Sequence, residues 1–351
     1  MLVKHDTDRV RDLLAGAQRI VCVCHRNPDG DAIGALLGMG LLVERALPSC
    51  SVVFHCLDPV PETFHFLPAA QRVQQTCGWR SGDLVLFLDS AEPKLTGLHE
   101  THPELFDGTY PSIVLDHHPT NTRFGTVNII VDGAASTCEI VVQLADALSW
   151  PIDGNIATCL LTGVYTDTGG LLHSNTTTMV YRTVARLLRS GARQQEIVRA
   201  VFRTARVSTL KLWGRVLEKI SLTPEGAAVS AVTEGDFRAT GAGYSDLTGA
   251  IDYVNAVPGM RFSLILSQRG DVVKGSLRTL RDDVDVSAMA GRFKGGGHRK
   301  AAGFSLHGTL MPEVRWKVVE SPEDAQSPSS QQSSPSLVSL ASVPEEWPGA
   351  S

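Results

Sequence analysis

Aromatic residues are scarce. Phe, Trp and Tyr make up 6% of the chain, too few and too scattered for the run of rings on which single-strand binders stack successive bases. Long apolar runs are missing as well. The longest, Ala32 to Val43, is Gly-rich and falls short of the ~20 apolar residues that a helix needs to cross a bilayer. No membrane partner is expected. The opening Met1-Leu2-Val3-Lys4-His5-Asp6 has no apolar core of a secretion signal. Cysteine is present without a pattern. There are seven, an odd number with no paired zinc-type spacing, and Cys22, Cys24, Cys138 and Cys159 fall in apolar strand and helix patterns. They read as reduced thiols, and the expected compartment is the cytoplasm. No internal repeat stands out. Lys and Arg are absent after Lys317, where Glu320, Glu323, Asp324, Glu345 and Glu346 add five negative charges. The formal net charge is −5, so the body up to Val319 is neutral. A neutral body excludes the broad cationic surface that a long duplex requires.

What is present begins with local charge. Residues 261–300 hold Arg261, Arg269, Lys274, Arg278, Arg281, Arg292, Lys294, Arg299 and Lys300, a cluster suited to a small anionic ligand. The length, 351 residues, suggests two domains. The stretch around which the chain is organised is His25-Arg26-Asn27-Pro28-Asp29-Gly30-Asp31. An apolar strand, Arg19 to Cys24, precedes it, and a helix, Asp31 to Leu47, follows. One His and two Asp therefore sit on the loop that leaves a buried strand, the end at which open α/β sheets bind ligands. Two carboxylates this close repel unless a cation lies between them. A helix start capped by Asp29 or Asp31 is the alternative reading of the same residues.

The design recurs. Gly82 to Ser90 is a buried strand that ends on Asp89, and Ser112 to Leu115 runs into Asp116-His117-His118. Apolar helices follow at 137–148 and 155–165, the second leading into Thr166-Asp167-Thr168-Gly169-Gly170. Strands alternating with helices predict a mostly parallel, helix-covered sheet. In such a sheet the strand ends share one edge, so these ligand-type residues converge.

The four segments, His25 to Asp31, Leu88-Asp89-Ser90, Asp116-His117-His118 and Thr166 to Gly170, resemble the motifs of the DHH phosphoesterases. Gly295-Gly296-Gly297-His298-Arg299-Lys300-Ala301-Ala302-Gly303 resembles the signature of the DHH-associated C-terminal domain. The likeness covers roughly residues 5–315 and is closest to the compact bacterial oligoribonuclease/pAp phosphatases, the nanoRNases. It implies two manganese ions, with Mg2+ less favoured because imidazole ligands suit a transition metal. One ion would be held by His25, Asp29 and Asp89, the other by Asp31, Asp89, His117 and Asp167. It further implies catalytic roles for His118, near the substrate phosphate, and for Asp116, orienting a histidine or simply closing the turn. Arg278, Ser276, Gly295, Gly296, Gly297 and His298 would bind substrate, the glycines turning their amides toward a phosphate.

Helices at 178–190, 194–204 and 208–220 are expected to connect the halves, with Leu210, Trp213 and Leu217 in the core. The expected organisation is an α/β catalytic DHH domain (1–190), a helical connector (191–221), a smaller mixed α/β substrate-binding domain (222–318) and a disordered acidic Ser/Pro/Gln-rich tail (319–351), with the active site in the interdomain cleft. The resemblance implies hydrolysis of short RNA and linear dinucleotides to mononucleotides, with 3′-phosphoadenosine 5′-phosphate (pAp) as a further substrate. A cyclic dinucleotide phosphodiesterase and a nucleotide sensor without turnover are the alternatives. A manganese pyrophosphatase is opposed by the Gly295–Gly303 signature. Polarity of attack and oligomeric state, homodimer included, stay open.

Overall fold

The computed structural model describes residues 2–311, and the expected tail at 319–351 lies outside the described residues. The first half is a sheet of six strands, β1 (Arg19–Cys24), β2 (Ser51–His55), β3 (Val73–Gln74), β4 (Leu84–Leu88), β5 (Ser112–Asp116) and β6 (Val127–Ile130). Their order is β3-β2-β1-β4-β5-β6, and every pairing is parallel. β1, β4 and β5 are apolar almost throughout because helices and loops bury both faces. The chain runs outward from β1 to β3 and then returns to β4 on the other side of β1. The crevice between the carboxyl ends of β1 and β4 is thus a topological switch point.

Helices α1 (Lys4–Gly16), α2 (Gly30–Ala46), α3 (Pro93–Thr96), α4 (Thr137–Leu148) and α5 (Gly154–Asp167) accompany this sheet. α2 and α5 lie unusually close, and the sequence shows why. Gly30, Gly34 and Gly38 are four residues apart and so share one helix face. A Cβ on Gly34 would come within 2.6 Å of the Cys159 carbonyl oxygen, and one on Gly38 within 2.5 Å of Leu160.

α6 (Thr178–Arg189), α7 (Gln194–Ile197) and α8 (Val207–Glu218) follow. The helix expected at 194–204 is shorter, α7 passing into one widened turn through Phe202. Leu210 and Leu217 are 54% and 40% exposed, whereas Thr209, Leu212 and Val216 face the core. α8 is apolar on two faces, so periodicity alone selected the wrong one. Trp213 is half-buried, its Nε1–H donating to the Asp246 carbonyl.

The second sheet comprises β7 (Ser221–Leu222), β8 (Ala227–Val232), β9 (Phe262–Arg269), β10 (Val272–Arg278), β11 (Gly296–His298) and β12 (Ala301–His307). Its order is β11-β12-β10-β9-β8-β7, antiparallel except for β8 beside β9. α9 (Glu234–Thr240), α10 (Ala250–Asn255) and α11 (Val286–Gly291) pack around it. The chain through Leu310 packs as one unit. Its buried apolar residues nonetheless fall into clusters on either side of the connector, the last on the first sheet being Ile197 and the first on the second Leu212.

Candidate metal centre

The loop after β1 is locally determined. Asn27 takes a left-handed backbone, φ 49°, which Asn tolerates better than most residues, and its N–H donates to Asp58 at 2.9 Å. Asp29 caps α2, its Oδ1 accepting from Asp31 N and Ala32 N at 3.0 Å each. The capping alternative is therefore real, but it occupies only part of one carboxylate. Asp31, the second residue of α2, is completely buried. Its oxygens accept from Thr137 N at 2.6 Å and Cys138 N at 3.0 Å, so it sits against the positive end of α4. Burial, and then the charges of Asp89 and Asp29, hold its carboxyl well above the usual carboxylate range despite those amides.

Asp89 follows β4 with φ 55°, a conformation that costs a non-Gly residue roughly 1–2 kcal/mol. The strained backbone aims the side chain at the middle of the site. His25 Nε2 lies 3.5 Å from Oδ2, while His117 Nε2 and His118 Nδ1 lie 3.6 and 3.8 Å from Oδ1. Thr137 Oγ1 donates to the same oxygen at 3.0 Å. Burial raises the Asp89 pKa, but the His25 contact and the charge of His117 outweigh it, so the group titrates far below its ordinary range.

The histidines show the metal-ligand character of the cluster most clearly. His25 Nδ1 contacts the Arg26 carbonyl at 2.7 Å, and His117 Nδ1 the Ala134 carbonyl at 3.3 Å. A carbonyl only accepts, so both Nδ1 atoms carry hydrogen, and each ring turns its Nε2 toward carboxylates. For His117 these are Asp89 and Asp167, the latter at 3.5 Å. For His25 they are Asp89 and Asp29, the latter at 4.0 Å. Imidazole nitrogens and carboxylates that face one another form a donor set for positive charge. Burial lowers the His25 pKa, but the contact with Asp89 wins and pushes it up to about 10. Asp167, at the end of α5, is raised by burial and then by Asp31, Asp29 and Asp89. Ligand atoms of His25, Asp29 and Asp89, and of Asp31, Asp89 and His117, gather within 4.8 Å. Asp89 is common to both groups. The donor set fits divalent metal ions.

His118 lies beside these ligands and is held by a neighbour of its own. Its Nδ1 donates to Asp116 Oδ1 at 2.8 Å, and Asp116 Oδ2 accepts from Asn121 at 2.7 Å. Burial lowers its pKa, yet Asp116 and Asp89 bring it up to about 9. His298 of β11 stacks on it, ring centroids 4.9 Å apart. Burial, and then the charges of His118 and His117, hold His298 down at about 4.

Arg278, Ala301 and His298 form one cross-strand row, and Ser276, Gly303 and Gly296 the next. Arg278 is half-buried, its Nη1 donating to the Leu277 carbonyl at 3.0 Å. The expected glycine turn is different in one respect: Gly296 and Gly297 already belong to strand β11, and the turn falls at Arg299-Lys300. A Cβ on Gly297 would meet the Ala301 carbonyl at 2.6 Å, so close strand pairing, as well as any ligand, requires glycine there. Thr137, Asn121 and Asp58 were not legible as site residues. The one local signal was Ser136-x-x-Glu139, a helix-start pattern realised by Ser136 Oγ accepting from Glu139 N, which marks the end of α4 without indicating that it meets Asp31.

The two-domain order is shared with known proteins. The model of the DHH family, N-terminal domain, matches residues 19–164, and that of the DHHA1 domain matches residues 227–321. The bifunctional oligoribonuclease and PAP phosphatase NrnA of Thermus thermophilus is 34% identical over 86% of this chain and 88% of its own. The cyclic-di-AMP phosphodiesterase GdpP of Geobacillus thermodenitrificans is 23% identical over 90% of this chain but 49% of its own. In fold, the chain is similar to an exopolyphosphatase-related protein from Bacteroides fragilis, with a TM-score of 0.81 at 24% identity over 88% of this chain and 93% of that one. With its motifs, its two sheets and a relative this similar along nearly the whole length, the chain belongs to the DHH family, an N-terminal DHH domain followed by a DHHA1 domain.

Proposed function

We propose that this protein is a cytoplasmic, manganese-dependent phosphoesterase that hydrolyses short oligoribonucleotides to mononucleotides and pAp to AMP. The observation that carries the reading is the set of imidazole nitrogens and carboxylates converging on Asp89, with His298 of the second sheet stacked beside it on His118. His25, Asp29 and Asp89 would hold one ion, and Asp31, Asp89, His117 and Asp167 the other. Bound there, the ions would supply Lewis-acid chemistry for an in-line displacement at phosphorus. His118, held by its hydrogen bond to Asp116, would donate to the departing oxygen. Arg278 and His298 would grip the nucleotide beyond the scissile phosphate, with Ser276 and the Gly295–Gly297 amides beside them. The corresponding division is a catalytic domain at 1–190, a connector at 191–221 and a substrate-binding domain at 222–318. The likeness to NrnA over most of both chains supports short RNA and pAp. A cyclic dinucleotide is the second reading, supported by the GdpP match and ranked lower because that match spans half of the relative.

The test is a panel of dinucleotides, pAp and cyclic di-AMP incubated with the purified chain and manganese, with products resolved by chromatography. Mononucleotides from the linear dimers and AMP from pAp are expected, with chelator abolishing both. Turnover of the cyclic substrate alone would replace this reading with the second. Binding without turnover of any of them would make the protein a sensor.

A further inference from the structure

The loop after α5 does more than end a helix. Gly169 and Gly170 take left-handed backbone, φ 57° and 70°, and the chain doubles back so that His173 N donates to the Thr168 carbonyl at 2.9 Å. The turn returns the His173 ring to Asp167, where its Nδ1 donates to the backbone carbonyl at 3.1 Å. Asn175 Nδ2 donates to the same carbonyl at 3.2 Å and to the Ala135 carbonyl at 3.3 Å. Ala135 adjoins Ala134, whose carbonyl holds His117. The loop therefore backs Asp167 directly and His117 at one remove. Room for the ring is built in. A Cβ on Gly169 would lie 2.3 Å from His173 Nε2, so this glycine serves the ring as well as the turn.

The other edge of the ring faces the second sheet. His173 Nε2 lies 3.9 Å from Oδ1 of Asp252, in the first turn of α10. α10 packs on the face of that sheet that bears Arg278. Its Asn255 Oδ1 accepts from Ser263 Oγ at 3.1 Å, and Ser263 is the cross-strand partner of Arg278. Burial lowers the Arg278 pKa and the charge of Asp252 opposes it, so the Asp252 carboxylate acts on that guanidinium. One imidazole thus spans from the backbone of Asp167 to the carboxylate beside Arg278. His173 belongs to neither ligand group around Asp89, which leaves its ring free to join the two halves.

We propose that His173 is a positioning residue for this hydrolysis, fixing Asp167 through Nδ1 and holding the Arg278 face of the second sheet to the metal centre through Asp252. The inference rests on the oligoribonuclease reading. The side chains of His173 and Asp252 are 40% and 50% exposed, so the pair between them is a weak one. Its effect is therefore on alignment, and it falls on substrates that need both halves at once.

Three substitutions separate the two edges of the ring. His173→Asn puts an amide where Nδ1 sits and does not reach Asp252, His173→Phe keeps a ring without either nitrogen, and Asp252→Asn removes only the charge. Each is made in the full chain. Manganese affinity is read by calorimetry, and kinetics are measured on an RNA dinucleotide and on bis(4-nitrophenyl) phosphate, which has no second nucleotide for Arg278 to hold. His173→Phe is expected to weaken manganese binding about fivefold, the worth of one hydrogen bond, and His173→Asn to restore it. Asp252→Asn and His173→Asn should each lower kcat/KM for the dinucleotide about three- to fivefold, as a partly exposed pair allows, with the aryl ester as reference. The double variant should lose no more than either alone. Equal losses on dinucleotide and aryl ester, or losses that multiply in the double variant, would overturn the link to Asp252. Unchanged manganese affinity in His173→Phe would overturn the hold on Asp167. If His173→Phe does not fold, the cycle of His173→Asn with Asp252→Asn decides the proposal. If no dinucleotide is cleaved, the oligoribonuclease reading fails, and the manganese affinities of the two His173 variants still decide whether the ring fixes Asp167.

Discussion

At the scale of single residues, the site is an exercise in placing negative charge where it cannot stay unaided. Asp89 sits in a left-handed backbone conformation and meets His25, His117 and His118 at 3.5–3.8 Å. Thr137 spends both its N–H and its hydroxyl on this cluster, donating to Asp31 and Asp89. The backbone strain at Asp89 is compensated by the interactions its carboxylate makes. Replacing Asp89 by Asn keeps a residue that tolerates positive φ and removes only the charge. Asp89→Asn is expected to fold with a melting temperature within a few degrees of the wild type. Its manganese affinity, read by calorimetry, should fall steeply and its turnover by roughly a thousandfold or more. Near-normal manganese binding in this variant would show that Asp89 does not bridge two ions.

At the scale of elements, parallel strands carry the ligands to one edge and two helices close on them. α2 brings Asp31, α5 brings Asp167, and the glycine face of α2 lets them approach. A methyl group at Gly34 would press on the Cys159 carbonyl, and neither backbone can yield without moving Asp31 or Asp167. Overpacking of this kind costs about 1–3 kcal/mol. Gly34→Ala should therefore lower the melting temperature and weaken manganese binding together, although the residue touches no ligand. Intact metal affinity in a destabilised Gly34→Ala protein would show that the α2–α5 spacing does not set the site. The positive end of α4 acts differently: it lets the Asp31 carboxylate be buried by supplying two amides instead of a salt bridge.

At the scale of the whole molecule, the two sheets divide the work. The metal-type ligands all come from the first, whereas Arg278 and His298 come from the second, and the His118–His298 stack joins them. On the proposed function, a substrate that engaged both would be measured by the distance between them, and its remote nucleotide would position the scissile phosphate. Dimers to pentamers should be cleaved much faster than a strand of about twenty nucleotides, whose remaining length finds only scattered aromatics. Arg278→Ala and His298→Ala should narrow that gap by slowing the short substrates. Equal rates on both lengths in the wild type, or dimers unaffected by either substitution, would separate the second sheet from substrate recognition.

How much of this was legible in the sequence differs by feature. The strands before His25, Asp89 and Asp116 could be read because each is an apolar run too short for a helix that ends on polar residues. Their convergence followed from parallel pairing alone. The Gly-rich signature identified β11 and β12 only as a feature, since a glycine run looks alike as turn or strand, and pairing of Gly296 with Gly303 made it a strand. α8 was misread because its Leu, Trp and Val residues cover two faces, and only the packing of Leu212 and Val216 chose between them. Thr137 and Gly34 were invisible because their roles lie in what approaches them from elsewhere in the chain. By itself, then, the sequence determined the ligand types and the strand ends that bear them, because alternation and local apolar runs are short-range properties. The tertiary structure alone decided which imidazole nitrogens face which carboxylates, where α4 meets Asp31 and how near His298 comes to His118, because these depend on contacts between residues up to about 180 positions apart.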